Sequence, residues 1–210
     1  MRKVSGHMRR RLISILAILT IMILMATTAF ASQPHFGPTT ISLATSSTSS
    51  SFGTSAAFAA LGSRSKGGVT FTAPVLSAKG LAAGLGPQDV IVQLLANGAP
   101  KVLCFNPKGN SVPGQNPPKV TSKGNVFLDS DSFDKNGSVH FDVTAGSPQS
   151  LSSKQLGCPN DSWTAVIPFV NWTDGTLTLF ASDGTTVLDK LSFTCVTTET
   201  PLSSDCTLFR

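Results

Sequence analysis

The densest group of oxygen ligands in the sequence lies between residues 129 and 136 and consists of Asp129, Asp131, Asp134 and Asn136. Calcium takes six to eight oxygen ligands in proteins, and Gly137 would permit the sharp turn that a calcium loop needs. The spacing departs from the EF-hand pattern, because Phe133 stands at a ligand position and Lys135 adds a positive charge. A solvated strand connection with an Asn-Gly turn is therefore the favoured interpretation, and calcium binding is the weaker one.

A second set of reactive residues lies on the segment that follows. His140 and Asp142 are two residues apart, so they share one face of an extended strand. Such a pair could serve a hydrolase only with a nucleophile, yet no Gly-x-Ser-x-Gly and no His-Glu-x-x-His motif occurs. Glu199 is the single glutamate, so a glycosidase would have to use two aspartates. We therefore expect no enzymatic activity, and a secreted hydrolase is the least favoured function.

The least generic stretch is the loop formed by residues 104–118. Four prolines remove backbone donors and fix φ, and two glycines permit left-handed turns, so no regular strand or helix passes through it. It lacks the Gly-Lys-Ser/Thr ending of a phosphate-binding loop. Its polar side chains and one from residues 157–160 form a candidate interaction surface: Asn106, Asn110, Gln115, Asn116 and Asn160.

The chain has four cysteines, which in an exported protein indicate two disulfides with three alternative connectivities. We expect a Cys104–Cys158 bond, because both cysteines border a loop rich in Asn and Pro. We also expect a Cys195–Cys206 bond, which would tie the tail to the last strand. A zinc site is disfavoured, because there is no Cys-x-x-Cys pair and no neighbouring histidine.

These motifs resemble those of a known group of proteins. Residues 104–117 have the pattern Cys-x-Asn-Pro-x-Gly-Asn-x-x-Pro-Gly-Gln-Asn-Pro, a Lys-Asn-Gly triplet begins at Lys135, residues 157–164 have the pattern Gly-Cys-Pro-Asn-x-x-Trp-Thr, and a Phe-Thr-Cys triplet ends at Cys195. Over roughly residues 90–195 the chain resembles small secreted bacterial β-domain proteins that carry these motifs. The resemblance implies an exported bacterial β domain and implies no activity, cofactor or ligand. Cys206 lies outside the similar part.

The formal net charge of +5 is concentrated at the start of the chain. Five of the 16 Lys and Arg residues precede residue 12, and the other 11 balance the 11 Asp and Glu residues. The rest of the chain is therefore formally neutral and has no basic cluster to release counterions from a phosphate backbone. We expect no nucleic-acid partner.

Residues 1–31 have the three parts of an export signal. Arg9, Arg10 and Arg11 precede an apolar run over residues 12–26, and Ala29-Phe30-Ala31 fits the cleavage pattern of a signal peptidase. Extended to Ala31, the run spans about 20 residues and could instead cross a bilayer as an uncleaved anchor. We expect a secreted protein or, as the alternative, one anchored through this segment alone and facing outside. Translation from Met8 instead of Met1 would keep the three arginines.

The remaining chain divides into two parts by composition. Residues 32–67 are mostly Ser, Thr and Ala with scattered Gly and Pro, which predicts a disordered linker because little apolar surface could offset the entropy of ordering it. From residue 68, short apolar runs alternate with turn signals every 8–12 residues or so. This cadence predicts an all-β domain over residues 68–210, specifically an antiparallel immunoglobulin-like β-sandwich.

Several strand and turn positions follow from the same pattern. We expect residues 69–72 to form a strand, residues 76–86 a loop or a helical turn, and Asn97-Gly98 a hairpin turn between strands at residues 89–96 and 101–105. Asp174-Gly175 and Asp183-Gly184 would turn the chain between later strands. Alternation places Val139, Phe141 and Val143 in the core, and we expect Trp163 and Trp172 to pack there too.

Together these patterns favour a secreted or cell-surface, non-enzymatic β-sandwich with a structural or interaction role. A calcium- or carbohydrate-binding accessory module is the alternative. We expect no cofactor, and the sequence leaves the extracellular or cell-envelope partner unspecified.

Overall fold

A computed structural model describes residues 33–44, 68–148 and 151–210. The predicted export segment and residues 45–67 of the predicted linker lie outside these ranges. The described residues form ten strands and a 3-10 turn: β1 (His35–Ala44), β2 (Val69–Phe71), β3 (Val75–Ala83), β4 (Val90–Phe105), β5 (Ser111–Pro113), β6 (Val120–Leu128), the turn Ser130–Ser132, β7 (Val139–Thr144), β8 (Thr164–Ala181), β9 (Val187–Glu199) and β10 (Leu202–Phe209).

The strands form two sheets packed against each other, as an all-β sandwich requires. The smaller sheet has the antiparallel order β1-β3-β7. The larger sheet is built on β4 and β8, and β10 pairs with β9 at its edge. Its pairs are antiparallel except that β2 runs parallel to β8.

The long strands β4 and β8 pair with each other from Val90–Ala181 to Phe105–Thr164. Along the first half of β4 every second residue is buried, so one face of the strand packs on the small sheet and the other faces outward. The outer edge of β4 pairs with β6 and then β5, while the outer edge of β8 pairs with β9 and β2. This central pair therefore positions most of the molecule.

The predicted hairpin turn at Asn97-Gly98 and the predicted turn at Asp174-Gly175 are both wrong, because β4 and β8 run straight through these dipeptides. The Asn97-Gly98 pair marks a shift in register between β4 and β8. A Cβ atom at Gly98 would lie 2.5 Å from a Val170 methyl carbon and 3.0 Å from the Trp172 ring. A Cβ at Gly175 would overlap the Phe193 ring. Both glycines serve close packing, not chain reversal.

Two further expectations are corrected by the smaller sheet. Residues 76–86 are not a loop or helical turn, since most of them belong to β3, the central strand. Residues 35–44 of the predicted linker are ordered as β1, with Phe36 and Ile41 buried. Gly80 has no side chain, so β1 can approach β3 closely at that point. The Phe36 ring also packs edge-on against the Phe141 ring, with 5.6 Å between their centroids.

Strand β1 is also fastened to the larger sheet. The backbone N–H of Phe36 donates to Asp189 Oδ2 at 2.8 Å, and Arg210 Nη2 donates to the Phe36 carbonyl at 3.2 Å. The same guanidinium lies 3.5 Å from Asp189 Oδ2. The backbone N–H and carbonyl of Phe36 are thus each held by one member of an ion pair, Asp189 of β9 and Arg210, the residue after β10.

Other core predictions are confirmed. Phe141 and Val143 are buried and Val139 is half-buried, while His140 and Asp142 face solvent. Trp172 is fully buried and donates its indole N–H to the Pro74 carbonyl at 3.1 Å. Trp163 packs partly buried against the core. The Asp183-Gly184 turn does separate β8 from β9, with Gly184 at φ +68°.

We predict that Gly98→Ala lowers the free energy of unfolding by about 1–3 kcal/mol, because the new methyl group overpacks the junction of β4 and β8. Gly86→Ala is the matched control, since nothing lies within 4 Å of a Cβ at that position. Urea denaturation should show the control unchanged or slightly more stable. Equal stability of the two variants would contradict the packed environment of Gly98.

The β8–β9 turn should make stability pH-dependent. Hydrogen bonds from the side chain and backbone of Thr186, and from the backbone of Thr185, lower the pKa of Asp183 from 3.8 to about 2. Because the folded pKa lies below the unfolded one, this stabilisation is present above pH 4 and is lost as the pH falls towards 2. The stability difference between wild type and Asp183→Ala, followed by urea denaturation, should shrink over that range. A stability difference that stays constant between pH 4 and pH 2 would contradict this role of Asp183.

Candidate functional site

Two disulfides join the predicted cysteine pairs, and both predictions are confirmed. Cys104, near the end of β4, bonds to Cys158 with 5.5 Å between their Cα atoms. Both side chains are buried. Cys195 and Cys206 occupy directly opposed positions on β9 and β10. The first bond draws two loops together at one end of the larger sheet, and we call that region, residues 103–116 with 157–160, the loop end.

Asn106 organises the turn between β4 and β5. The expectation that no strand lies within residues 104–118 is wrong, because residues 111–113 pair with the end of β4. The side-chain Oδ1 of Asn106 accepts the backbone N–H groups of Lys108 and Asn110 at 2.9 and 3.0 Å. Its own backbone N–H donates to the Asn110 carbonyl at 2.9 Å, and Gly109 provides the left-handed residue at φ +86°. Asn is well suited here, because its short side chain can replace a backbone acceptor in a turn. This amide is therefore committed to the fold of the loop.

The second half of the loop is pinned by backbone hydrogen bonds. Gly114 donates its N–H to the Val102 carbonyl and Gln115 donates to the Gly157 carbonyl, each at 2.9 Å. Gly157 has φ +86°, and a Cβ there would overlap the Gln115 backbone, so only glycine fits. Asn116 adopts a left-handed φ of +46°, which Asn tolerates better than most residues. The two loops thus contact each other directly.

The segment after Cys158 is held in a similar manner. Asn160 Oδ1 accepts the backbone N–H of Ser162 at 3.0 Å, and the Asn160 carbonyl accepts the Trp163 N–H at 3.3 Å. Nearby, Asp161 accepts the backbone N–H of Lys154 at 3.0 Å, and this hydrogen bond lowers the pKa of Asp161. The Asn160 side chain therefore also stabilises its own turn.

The five predicted surface residues consequently divide into two groups. Asn106 and Asn160 hold the loops. Asn110, Gln115 and Asn116 are exposed, and their side-chain amides make no hydrogen bond within the described part of the chain. A side-chain carboxamide without a partner can both donate and accept hydrogen bonds, so it can bind the hydroxyl groups or peptide groups of a partner. The loop end therefore presents three available amides on a backbone that is already fixed.

Sequence reasoning missed two apolar residues of this surface. Leu103 and Val112 are 40% and 41% exposed, and Val112 pairs with Cys104 across the β4–β5 ladder. For Leu103 a signal was present, since the buried neighbours Val102 and Cys104 would place it on the outward face of an alternating strand. The register places Leu103 and Val112 on opposite faces of the β4–β5 ladder, so each adds exposed apolar area to a different side of the loop end.

The acidic loop has a structural role in this fold. Asp129 Oδ1 accepts the Asp131 N–H at 2.9 Å, capping the short 3-10 turn. Asp134 Oδ1 accepts the N–H groups of Asn136 and Ser138, each at 2.8 Å. Among the described residues no three His, Cys, Asp or Glu side chains converge as metal ligands. Asp129 and Asp134 therefore stabilise the turns of their own loop.

The His140–Asp142 pair is not formed either. Asp142 instead contacts Lys79 Nζ at 2.8 Å and accepts the Ser77 hydroxyl at 3.1 Å. The hydrogen bond from Lys79 is the main cause of the lowered pKa of Asp142. No hydrogen bond joins His140 to Asp142 in the described ranges, so the carboxylate is engaged with β3 and does not orient the imidazole.

Comparison of the chain with protein-family models, with curated proteins and with solved structures finds no match. Nothing in residues 33–44, 68–148 and 151–210 forms a helix long and apolar enough to cross a membrane. The two disulfides are compatible with an extracellular location.

We predict that Asn106→Ala destabilises the protein by about 1 kcal/mol, because two backbone N–H groups lose their acceptor. Asn110→Ala is the matched control on the same loop and should change stability by less than about 0.5 kcal/mol. Thermal and urea denaturation measure both variants. Equal effects would show that the Asn106 amide does not organise the turn.

Proposed function

We propose that this protein is an exported, non-enzymatic β-sandwich domain, immunoglobulin-like in type, whose loop end binds a partner outside the cell or in the cell envelope. The proposal rests on the different roles of the side-chain amides in the loop end, some of which stabilise the loops while others remain exposed. The side-chain amides of Asn110, Gln115 and Asn116 make no hydrogen bond to the described residues, while backbone contacts and the Cys104–Cys158 bond fix the loop that presents them.

A fixed loop favours binding for a thermodynamic reason. Ordering a flexible segment on association opposes binding, and a loop held in advance avoids much of that cost. Here Asn106, Gly114 and Gly157 hold the loop through hydrogen bonds that leave the exposed side chains untouched. The exposed Leu103 and Val112 add apolar area on the two faces of the loop end. The surface therefore combines preorganisation, hydrogen-bonding groups and apolar contact.

Export is supported by the sequence and by the cysteines together. The first 31 residues have the arrangement of a signal segment, and disulfides persist mainly in oxidising compartments. The resemblance of the loop motifs to small secreted bacterial β domains points the same way. A formally neutral domain gives no electrostatic drive towards nucleic acids, which leaves a protein or polysaccharide surface as the favoured kind of partner.

The non-enzymatic assignment is supported by the engagement of the residues that could react. Asp142 is bonded to Lys79 and Ser77, and the carboxylates of Asp129 and Asp134 accept backbone N–H groups of their own loop. No described hydrogen bond links His140 to a nucleophile. These residues have structural partners in place of catalytic ones.

The test measures binding of the labelled, purified protein to the surface of the bacterial cells that secrete it. Wild type should bind saturably. The double variant Asn110→Ala, Gln115→Ala should bind about thirtyfold more weakly, because two hydrogen bonds of about 1 kcal/mol each are lost. Its free energy of unfolding should stay within about 0.5 kcal/mol of wild type, since neither amide supports the fold.

Asn136→Ala is the matched control, because it removes an exposed Asn side chain from a different turn. It should bind like wild type. Unchanged binding by the double variant would remove the loop end as the interaction surface. Turnover of an ester, peptide or glycoside substrate that His140→Ala abolishes would overturn the non-enzymatic assignment.

A further inference from the structure

A row of apolar side chains crosses the outer face of the larger sheet, far along the strands from the loop end. Cross-strand pairing places Phe127 of β6 beside Ile91 of β4, Ile91 beside Phe180 of β8, and Phe180 beside Val187 of β9. We call these four residues the apolar row. Phe127 is 56% and Val187 53% exposed, and the two central residues are half-buried between them.

The row lies on the face opposite the core. The neighbours of Ile91 in sequence, Val90 and Val92, are buried against the smaller sheet, so Ile91 points away from it. The β8–β9 turn lies beside the row, since a Cβ at Gly184 would be 3.8 Å from Ile91 Cδ1. Four apolar side chains adjacent across four strands form a continuous exposed surface, which in soluble proteins marks a contact site.

Charges of opposite sign border the row on its two sides. On one side the border is acidic. Asp89, just before β4, and Asp129, just after β6, occupy outward-facing positions of these strands, and Asp183 lies in the β8–β9 turn. Hydrogen bonds from Ser130 to Asp89, and from the turn residues to Asp183, lower both pKa values and keep this side anionic at neutral pH.

On the other side the border is basic. Lys190 lies two residue pairs along the ladder from the row, opposite Thr178. Lys123 lies four residue pairs along from the row, opposite Leu95. Both lysines are exposed. The surface therefore has an acidic edge, an apolar centre and a basic edge, in that order along the strands.

We propose that the apolar row is the centre of a homodimer interface in which the outer faces of two copies pack together. A twofold axis running along the row turns the second copy over, so that the lysines of each copy face the aspartates of the other. Such an axis keeps the strands of the two sheets roughly aligned, which is a preferred geometry for packed sheets. The patch is therefore complementary to itself in both charge and polarity.

The size of the patch sets the strength of the dimer. Four strands about 4.8 Å apart and six residue steps of about 3.3 Å give on the order of 400 Å² of flat sheet per copy. This lies at the low end for specific interfaces, so the dimer should be weak and reversible, with a Kd between about 10 µM and about 1 mM.

Sedimentation equilibrium of the full secreted chain, from micromolar to millimolar concentration, tests the proposal. Wild type should convert from monomer to dimer over that range. Val187→Asp should raise the Kd at least tenfold, because it buries an unpaired charge at the row. Phe127→Ser should do the same by removing apolar area. Both sites are exposed, and circular dichroism should confirm that the variants are folded.

Val196→Asp is the matched control, because Val196 is 69% exposed on the same strand but lies nine residues beyond Val187. It should leave the Kd unchanged. A wild type that stays monomeric at 1 mM would overturn the proposal and leave the row to a different partner. A dimer that Val187→Asp does not weaken, or that Val196→Asp weakens equally, would overturn the assigned location.

Salt dependence tests the facing charges separately. Raising the salt concentration from about 50 to about 500 mM should weaken the wild-type dimer, since exposed ion pairs are screened. The double variant Lys123→Glu, Lys190→Glu should raise the Kd at least tenfold, because acidic edges would then face each other. A dimer that strengthens with salt would contradict the proposed orientation.

Discussion

The pairing of β4 with β8 is the interaction on which the rest of the structure depends. These two strands hydrogen-bond along nearly their whole length, and every other strand of the larger sheet attaches to this pair directly or through β9. Trp172 of β8 lies fully buried where Gly98 of β4 lets the two backbones come close. A bulky residue at that point would disturb both strands and everything paired with them.

The same pair also separates the two proposed surfaces. Ile91 lies near the start of β4 and Leu103 near its end, so the apolar row and the loop end are on the order of 40 Å apart along the strand. In the proposed dimer the twofold axis would direct the two loop ends in opposite directions. Such a dimer would join two separate partners and would not bind one flat surface through both loop ends. Its avidity would depend on the spacing of those partners.

Much of the polar chemistry that stands out in the sequence is used to shape loops. Asn106, Asn160, Asp129, Asp134 and Asp183 each accept backbone N–H groups close to them in the chain. Short side chains with oxygen acceptors are the residues that stabilise turns. Residue type alone therefore did not distinguish a ligand-binding Asn or Asp from one that holds a turn, and only the hydrogen-bond partners separate Asn110 and Gln115 from Asn106.

Composition and local pattern were sufficient for the all-β class, both disulfides, the inward face of β7 and the Asp183-Gly184 turn, because each depends on alternation, cysteine placement or turn chemistry within a short segment. The structure alone decided that β4 and β8 are continuous and that residues 35–44 form a strand. Asn97-Gly98 and Asp174-Gly175 favour a turn locally, but packing against Trp172 and Phe193 from distant parts of the chain selects the extended form. The apolar row, likewise, exists only through the register of four strands that are distant in sequence.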